Sequence, residues 1–510
     1  MTTTYYVTTP IYYVNDVPHI GHAYTTLAAD VLARYYRLKG CKTYFLTGTD
    51  EHGLKMYRAA EQKGISVQEL ADKNSDKFKN LWEALGISYD DFIRTTEKRH
   101  EKGVIEFYNR LDPDDIYPGE YEGLYCTPDE TYYTELQLVD GKCPMCGRPV
   151  EKVKEKSYFF RMSRYQDKLL SHIDGNPDFI LPEARRNEIR SFIKEGLRDL
   201  SISRTSFDWG IPLPDDPAHV LYVWVDALVN YISALGFGHE DDSKFQEFWP
   251  ANVHLIGKDI LRHHAVIWPC LLMSAGIELP QTVFAHGWWT HEGQKMSKSL
   301  DNFIDPYEVV NTYGLDQFRY FVLREVPFGS DGDFSDEAIK HRINSELAND
   351  LGNLLSRTAG MAGKYFKGEV KPPGPPEGPD QELIEAAAEA SRQVDREMEA
   401  CGFGKSLIAI WSFIGKANKY IDTTKPFSLA KEEGQEQRLA TVMYNLAEVL
   451  RITAILVYPF MPGSAENMWE QIGMEGSPAD PPLEEKLKWG GVKPGTVMKK
   501  GKSLFPRIEE

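Results

Sequence analysis

At 510 residues, 42% of them hydrophobic and 26% charged, the chain is too long for a single core and suits two to four globular domains. No stretch approaches the ~18 uninterrupted apolar residues of a membrane span, and residues 1–7 lack the basic and apolar regions of a secretory signal, so a cytoplasmic protein is expected. A net charge of −18 excludes a non-specific nucleic-acid coat, while a local basic track could still read one RNA.

The opening reads as a strand at 4–8, a loop, and a helix from about 22 to 39, on which Ala23, Leu27, Ala28, Val31, Leu32, Tyr35 and Leu38 recur at helical spacing. Gly40 is a plausible stop, and a second strand at 43–47 runs into Gly48-Thr49-Asp50-Glu51-His52-Gly53. Strand, helix and strand at this length form a βαβ unit, the start of a doubly wound parallel sheet. The pattern breaks between 116 and 215 into turns, aromatics and clustered cysteines, which marks an insertion. It resumes with strands near 253–256 and 282–287. From 336 the chain reads as helices at 336–366, 380–400, 403–422 and 436–458, with a proline-rich loop at 371–376 and a tail after Gly473 that packs back in extended form.

Three segments carry chemistry. In the loop after the first strand, His19 and His22 stand at i, i+3 on a helix start, where ring N–H groups join the positive end of the helix dipole as a polyphosphate site. Gly21 between them leaves room for a planar base. Alone, the same residues also describe a helix start with two surface histidines. In Gly293-Gln294-Lys295-Met296-Ser297-Lys298-Ser299, two lysines and two hydroxyls can surround a triphosphate and offset charge on a departing pyrophosphate, or form a plain exposed lysine loop. Within the insertion, Cys126, Asp129, Cys143 and Cys146, followed by Gly147, have the spacing of a zinc knuckle at 123–150. Three thiolates and a carboxylate can close a tetrahedral structural site. Cys41, Cys270 and Cys401 stand alone, as in a reducing compartment.

The two phosphate-handling segments, with Asp199-Leu200-Ser201-Ile202-Ser203-Arg204 and Asp208-Trp209-Gly210-Ile211-Pro212 between them, resemble the signature motifs of class I aminoacyl-tRNA synthetases. Residues 9–13, 221–227 and 254–268 are most similar to the methionyl-tRNA synthetase family, and the likeness spans essentially the whole chain. It implies that methionine and ATP, with Mg²⁺, form methionyl-adenylate, and that methionine then passes to tRNA(Met), initiator and elongator alike. It places ATP at His19, Gly21, His22, Lys295, Met296, Ser297, Lys298 and Ser299, with His19, His22, Lys295 and Lys298 catalytic. Asp50 would hold the substrate ammonium, with Ile11, Tyr13, Trp224, Ala227, Tyr231, Ile260 and His264 around the thioether. An aromatic pocket with one or two polar groups suits that weakly accepting sulfur, and Tyr13 and His264 fit the polar role.

The implied fold is an α/β Rossmann-like catalytic domain with a connective insertion bearing the knuckle, followed by an all-α anticodon-binding bundle. The division expected is 1–115, 116–215, 216–292, 293–335 for the lysine loop and stem-contact region, and 336–510. Asn353 and Arg357, at i, i+4, and Phe427 would meet the anticodon. Lys405, Lys416, Lys419 and Lys425 would contact phosphate or simply form a solvated face. The chain departs from the family at Leu228, often Pro, at Asp129, more commonly Cys, and at Phe427, a tryptophan position. DNA and membranes are not implied as partners, and a monomer is expected, since dimeric relatives carry a further oligonucleotide-binding domain beyond the position of Glu510. Cysteine specificity is disfavoured because no metal-binding cysteine stands at 11–13, and leucine or valine specificity because the insertion is too short for an editing domain. A non-catalytic tRNA-binding paralogue is the rival from another class, and pyrophosphate exchange separates it.

Overall fold

Unbroken burial from Tyr5 to Pro10 within Thr4–Tyr13 (β1) marks a strand covered on both faces, the signature of a central parallel strand. The computed structural model describes residues 3–14, 17–127, 131–133, 135–144, 147–296 and 303–509. The expectations on Asp129, Cys146, Ser297, Lys298 and Ser299 therefore lie outside the described residues. β1 runs five residues past its expected end, through Pro10. Its ladder with the neighbouring strand uses Val7 and Thr8, so proline's missing N–H costs nothing there. The helix Ile20–Leu38 (α1) buries the expected stripe, and Gly40, at φ 83°, follows it.

Next come Lys42–Asp50 (β2), two helices, Asp91–Arg94 (β3), and the helix Lys98–Arg110 (α2). The insertion pairs Ile116–Cys126 (β4) antiparallel with Glu151–Phe160 (β6) over ten residues, with Thr131–Tyr133 (β5) on one side and Leu200–Ser201 (β8) on the other. Between these last two, Ile180–Leu181 (β7) leaves the insertion and pairs parallel with the main sheet, a crossing that residue spacing did not reveal. Ser203–Arg204 (β9) then pairs with Val220–Leu221 (β10), and Val253–Gly257 (β11) and Val283–His286 (β12) complete the core. The main sheet has the order β3-β2-β1-β11-β12-β7. Strand order reverses between β1 and β11, and ligands of such sheets bind outside the strand carboxyl ends at that switch point.

The chain divides into two compact units, one of 4–29 with 43–287 and the other of 30–42 with 288–510. In the second, a continuous helical run, Asp336–Arg342, Ile343–Gly352 (a π segment) and Asn353–Phe366, is joined by Gly378–Glu399, Phe403–Thr424 and Glu436–Val457, each within two residues of expectation. Glu436–Val457 is long and apolar enough to cross a membrane, yet its apolar window is wholly buried, as befits the central helix of a bundle. Buried Asp380 pins three helices, accepting from both Nη of Arg438, from Asn445 and from the Tyr420 hydroxyl. The tail packs back as expected: the N–H of Val370 donates to Thr496 and that of Met498 to Gly368, both at 2.8 Å.

Candidate active site

At the start of α1, the backbone N–H of His19 donates to Nδ1 of His22 at 3.1 Å, and that of Gly21 donates to Nδ1 of His19 at 3.0 Å. Both Nδ1 atoms accept, so in the neutral rings the proton sits on Nε2, and the stacked pair (centroids 3.7 Å apart) offers Nε2–H donors. Burial, then His19 and Lys55, holds His22 well below the usual histidine range, so it donates without a charge of its own. Gly21 has a first duty to the protein itself: a Cβ there would stand 2.9 Å from the His19 ring. Thr25, one turn on, meets Nε2 of His286 at 2.6 Å and so ties α1 to the end of β12.

The expected thioether pocket assembles from four places. Tyr13, at the end of β1, makes a T-shaped contact with Trp224 at 6.2 Å between centroids, and the ammonium of Lys55 lies over the Tyr13 ring, 4.9 Å from its centroid. Trp224 and Ala227 share the short helix Val223–Leu228, and Tyr231 follows on Asn230–Ser233. His264 sits in a π turn, His263–Ile267. Pro269 has no N–H for the carbonyl of Ala265, which favours the wider turn. His264 Nδ1 faces the carbonyl of Ile260 at 3.0 Å, and a carbonyl only accepts, so Nδ1 donates. Nε2 then accepts from the Tyr231 hydroxyl at 2.7 Å. Burial pushes His264 down to about 4, which keeps this neutral tautomer. Both ring nitrogens are thus engaged, which leaves His264 no free N–H for the polar role expected of it. Ile11 lies partly buried beside β2, and Asp50 is buried at the end of that strand.

Several residues here carried no sequence signal of their own. His263 stacks on Trp224 at 3.8 Å, and burial holds it near 3. Glu51 is fully buried, with Arg94 donating from Nε at 2.7 Å and Nη2 at 3.0 Å, and Thr49 at 2.8 Å. The indole of Trp209, in the junction stretch, donates to the Glu51 carbonyl at 2.6 Å. His52 and His100 flank Asp226. Asp226 was visible only as a letter in the stretch 221–227.

In the other unit, Trp289–His291 (β13) and Gln294–Lys295 (β14) form a hairpin whose turn residues Glu292 and Gly293 both have positive φ, the geometry of a two-residue turn. Asp333 braces it, accepting from Thr290 at 2.6 Å and the Gly293 N–H at 2.8 Å. Met296 is half-buried just beyond. At one end of the bundle, Asn353 is exposed and Arg357 lies 3.6 Å from Asp422. The helix bearing Asp422 stops at Lys425 in the left-handed conformation, and exposed Phe427 follows. In the insertion, Cys126 and Cys143 are buried in one small cluster with Tyr133, and the Gly147 N–H donates to the Cys143 carbonyl at 2.9 Å. Among the described residues no three ligating side chains gather. The two buried thiols in so small a core fit a metal knuckle.

The family described as tRNA synthetases class I (M) matches residues 5–152 and 148–359, and the anticodon-binding domain of tRNA ligase matches 380–498. A methionine–tRNA ligase of Caldanaerobacter subterraneus subsp. tengcongensis is 55% identical over 510 residues, which is 100% of this chain and 80% of that protein. One from Bacillus subtilis is 50% identical over 530 residues, 99% of this chain and 78% of that protein. The solved Mycobacterium tuberculosis methionyl-tRNA synthetase in complex with methionyl-adenylate aligns with a TM-score of 0.94 at 47% identity, covering 99% of this chain and 100% of that one. The free form of the same enzyme gives 0.88 at 44% identity, covering 100% and 99%. The chain belongs to the methionyl-tRNA synthetases of class I.

Proposed function

We propose that this chain ligates L-methionine to tRNA(Met) through methionyl-adenylate, in the cytoplasm, where its substrates meet. The observation that carries the reading is 55% identity to a methionine–tRNA ligase across all 510 residues. In the first step a methionine carboxylate oxygen bonds to the α-phosphorus of ATP, and the bond to the β-phosphate oxygen breaks to release pyrophosphate. Magnesium bound with ATP would supply further charge shielding of the phosphates. The Nε2–H groups of His19 and His22, with Lys295 and Lys298, offset the charge that grows on the phosphates, while Gly21, Met296, Ser297 and Ser299 complete the nucleotide's surroundings. Asp50 pairs with the substrate ammonium. Ile11, Tyr13, Trp224, Ala227, Tyr231, Ile260 and His264 enclose the side chain. In the second step the 2′-hydroxyl of the terminal adenosine attacks the adenylate carbonyl and AMP leaves. No side-chain nucleophile is needed, because positioning and electrostatics suffice.

Residues 1–115 and 216–292 form the two halves of the catalytic domain, 116–215 the insertion, 293–335 the lysine loop and stem-contact region, and 336–510 the domain that meets the anticodon through Asn353, Arg357 and Phe427. Zinc would be held by Cys126, Asp129, Cys143 and Cys146 and would close a lobe with little core of its own. Elemental analysis after chelator-free purification should find close to one zinc per chain. None, with the cysteines freely reactive in the native protein, would remove the site.

The specificity is tested by ATP–pyrophosphate exchange with each of the twenty amino acids. Methionine alone should support fast exchange. Faster exchange with another amino acid, or none with any, would overturn the reading.

A further inference from the structure

Glu51 and His52, the two residues after Asp50, are anchored in different directions, Glu51 to Arg94 at the end of β3 and His52 to Asp226. His52 Nδ1 lies 2.6 Å from one Asp226 oxygen, His100 Nε2 lies 2.8 Å from the other, and His100 Nδ1 lies 2.8 Å from the Ser233 hydroxyl. The chain Ser233–His100–Asp226–His52 thus joins Asn230–Ser233, α2, Val223–Leu228 and the loop after β2, with every member less than a tenth exposed. Burial works to raise the Asp226 carboxyl, but the two imidazoles outweigh it and hold it at about 2. A carboxylate only accepts, so both rings donate and their tautomers are set: the proton is on Nδ1 of His52 and on Nε2 of His100. An apolar side chain would fill this space at less desolvation cost. What the carboxylate adds is directionality. Asp226 also shares its six-residue helix with Trp224 and Ala227.

We propose that Asp226 is a positioning residue for methionine recognition, holding the loop that directly follows Asp50 against the helix that carries Trp224 and Ala227, with His52 as the link and His100 and Ser233 as its brace. This rests on the reading that Asp50 takes the substrate ammonium. Asp226→Asn keeps the volume but sets an amide N–H against a ring N–H. It should raise the KM for methionine by roughly tenfold or more, the worth of one charge-assisted hydrogen bond, with kcat and the KM for ATP little changed.

Two inhibitors make the test specific. L-methioninol keeps the ammonium, and 4-(methylthio)butanoate lacks it. Asp226→Asn should weaken the first and spare the second, and in an Asp50→Ala background it should have no further effect on either. Equal weakening of both inhibitors, full additivity with Asp50→Ala, or unchanged methioninol binding would overturn the proposal. Should Asp226→Asn fail to fold, His52 carries the test. His52→Asn can place its amide nitrogen where Nδ1 stood and should bind methioninol nearly as the parent does, whereas His52→Ala should reproduce the defect. A harmless His52→Ala, or a His52→Asn as damaged as the alanine, would refute the link. If Asp50→Ala alone spares methioninol, the ammonium assignment itself fails. If Asp50→Ala is severe and Asp226→Asn harmless, that assignment stands and only the link falls.

Discussion

The expected thioether pocket and the end of the helical bundle that bears Phe427 use similar residues under opposite conditions. In the first, Trp224 is 8% exposed, in T-shaped contact with Tyr13 and stacked on His263. At the bundle end, Phe427 is 47% exposed, and Asp422, the partner of half-buried Arg357, is exposed. Inside the pocket a lost partner is replaced by nothing, so the full cost of an unmet polar group appears. On the bundle surface water takes the partner's place, and a contact is worth only what RNA offers beyond water. The members of the expected methionine site should therefore depend on one another, and those of the expected anticodon patch should contribute one by one.

The largest effect should come from Asp50→Ala. Removing one charge from a buried pair costs about 3–5 kcal/mol, so methionine-dependent exchange should fall by a few hundredfold or more. Wild-type kinetics in this variant would break the contrast at its enclosed end. Lys298→Ala should slow adenylate formation, measured in a single turnover, by about two orders of magnitude with little change in methionine affinity, because its charge acts in the transition state. A parallel loss of ATP affinity would make Lys298 a ground-state binder instead.

Phe427→Ala should cost about 1–3 kcal/mol in tRNA charging, the value of one stacked base, and leave tRNA-independent exchange intact. Arg357→Ala should do less. Charging that is unaffected in both variants would take the patch out of recognition.

The smallest effect concerns pH. Burial holds His263 near 3 and His264 near 4, below the ordinary 6.5, so the folded chain refuses protons that the unfolded chain accepts. That stability is fully present above pH 6.5 and is lost as pH falls toward 4 and then 3. His263→Phe keeps a ring on Trp224 and removes one of the two titrations, so its melting temperature should fall less steeply across that window. Identical slopes would mean that His263 protonates at no cost to the fold.

What could be read from sequence was whatever repeats locally. The stripe on α1, the stop at Gly40 and the bundle helices within two residues follow from a 3.6-residue period and turn chemistry, which a short window contains. The histidine pair at the start of α1 was legible for the same reason, since His19 and His22 lie three residues apart. The passage of β1 through Pro10 was not, because only the strand's pairing shows which N–H groups are needed. Nor was the return of β7 to the main sheet from within the insertion. The cysteine spacing at 126–146 was legible as a candidate knuckle, and the structure places Cys126 and Cys143 in one buried cluster.

The sequence by itself determined the α/β-then-helical organisation, the candidate phosphate loops and the residue types of the pocket. Only the tertiary structure decided which histidine nitrogens carry protons, that His263 shares the pocket with His264, and that Asp226 joins His52 and His100 from 174 and 126 residues away. A hydrogen bond across such separations leaves no period in the chain. It forms because a buried carboxylate must be met by donors, and the fold alone determines which donors are within reach.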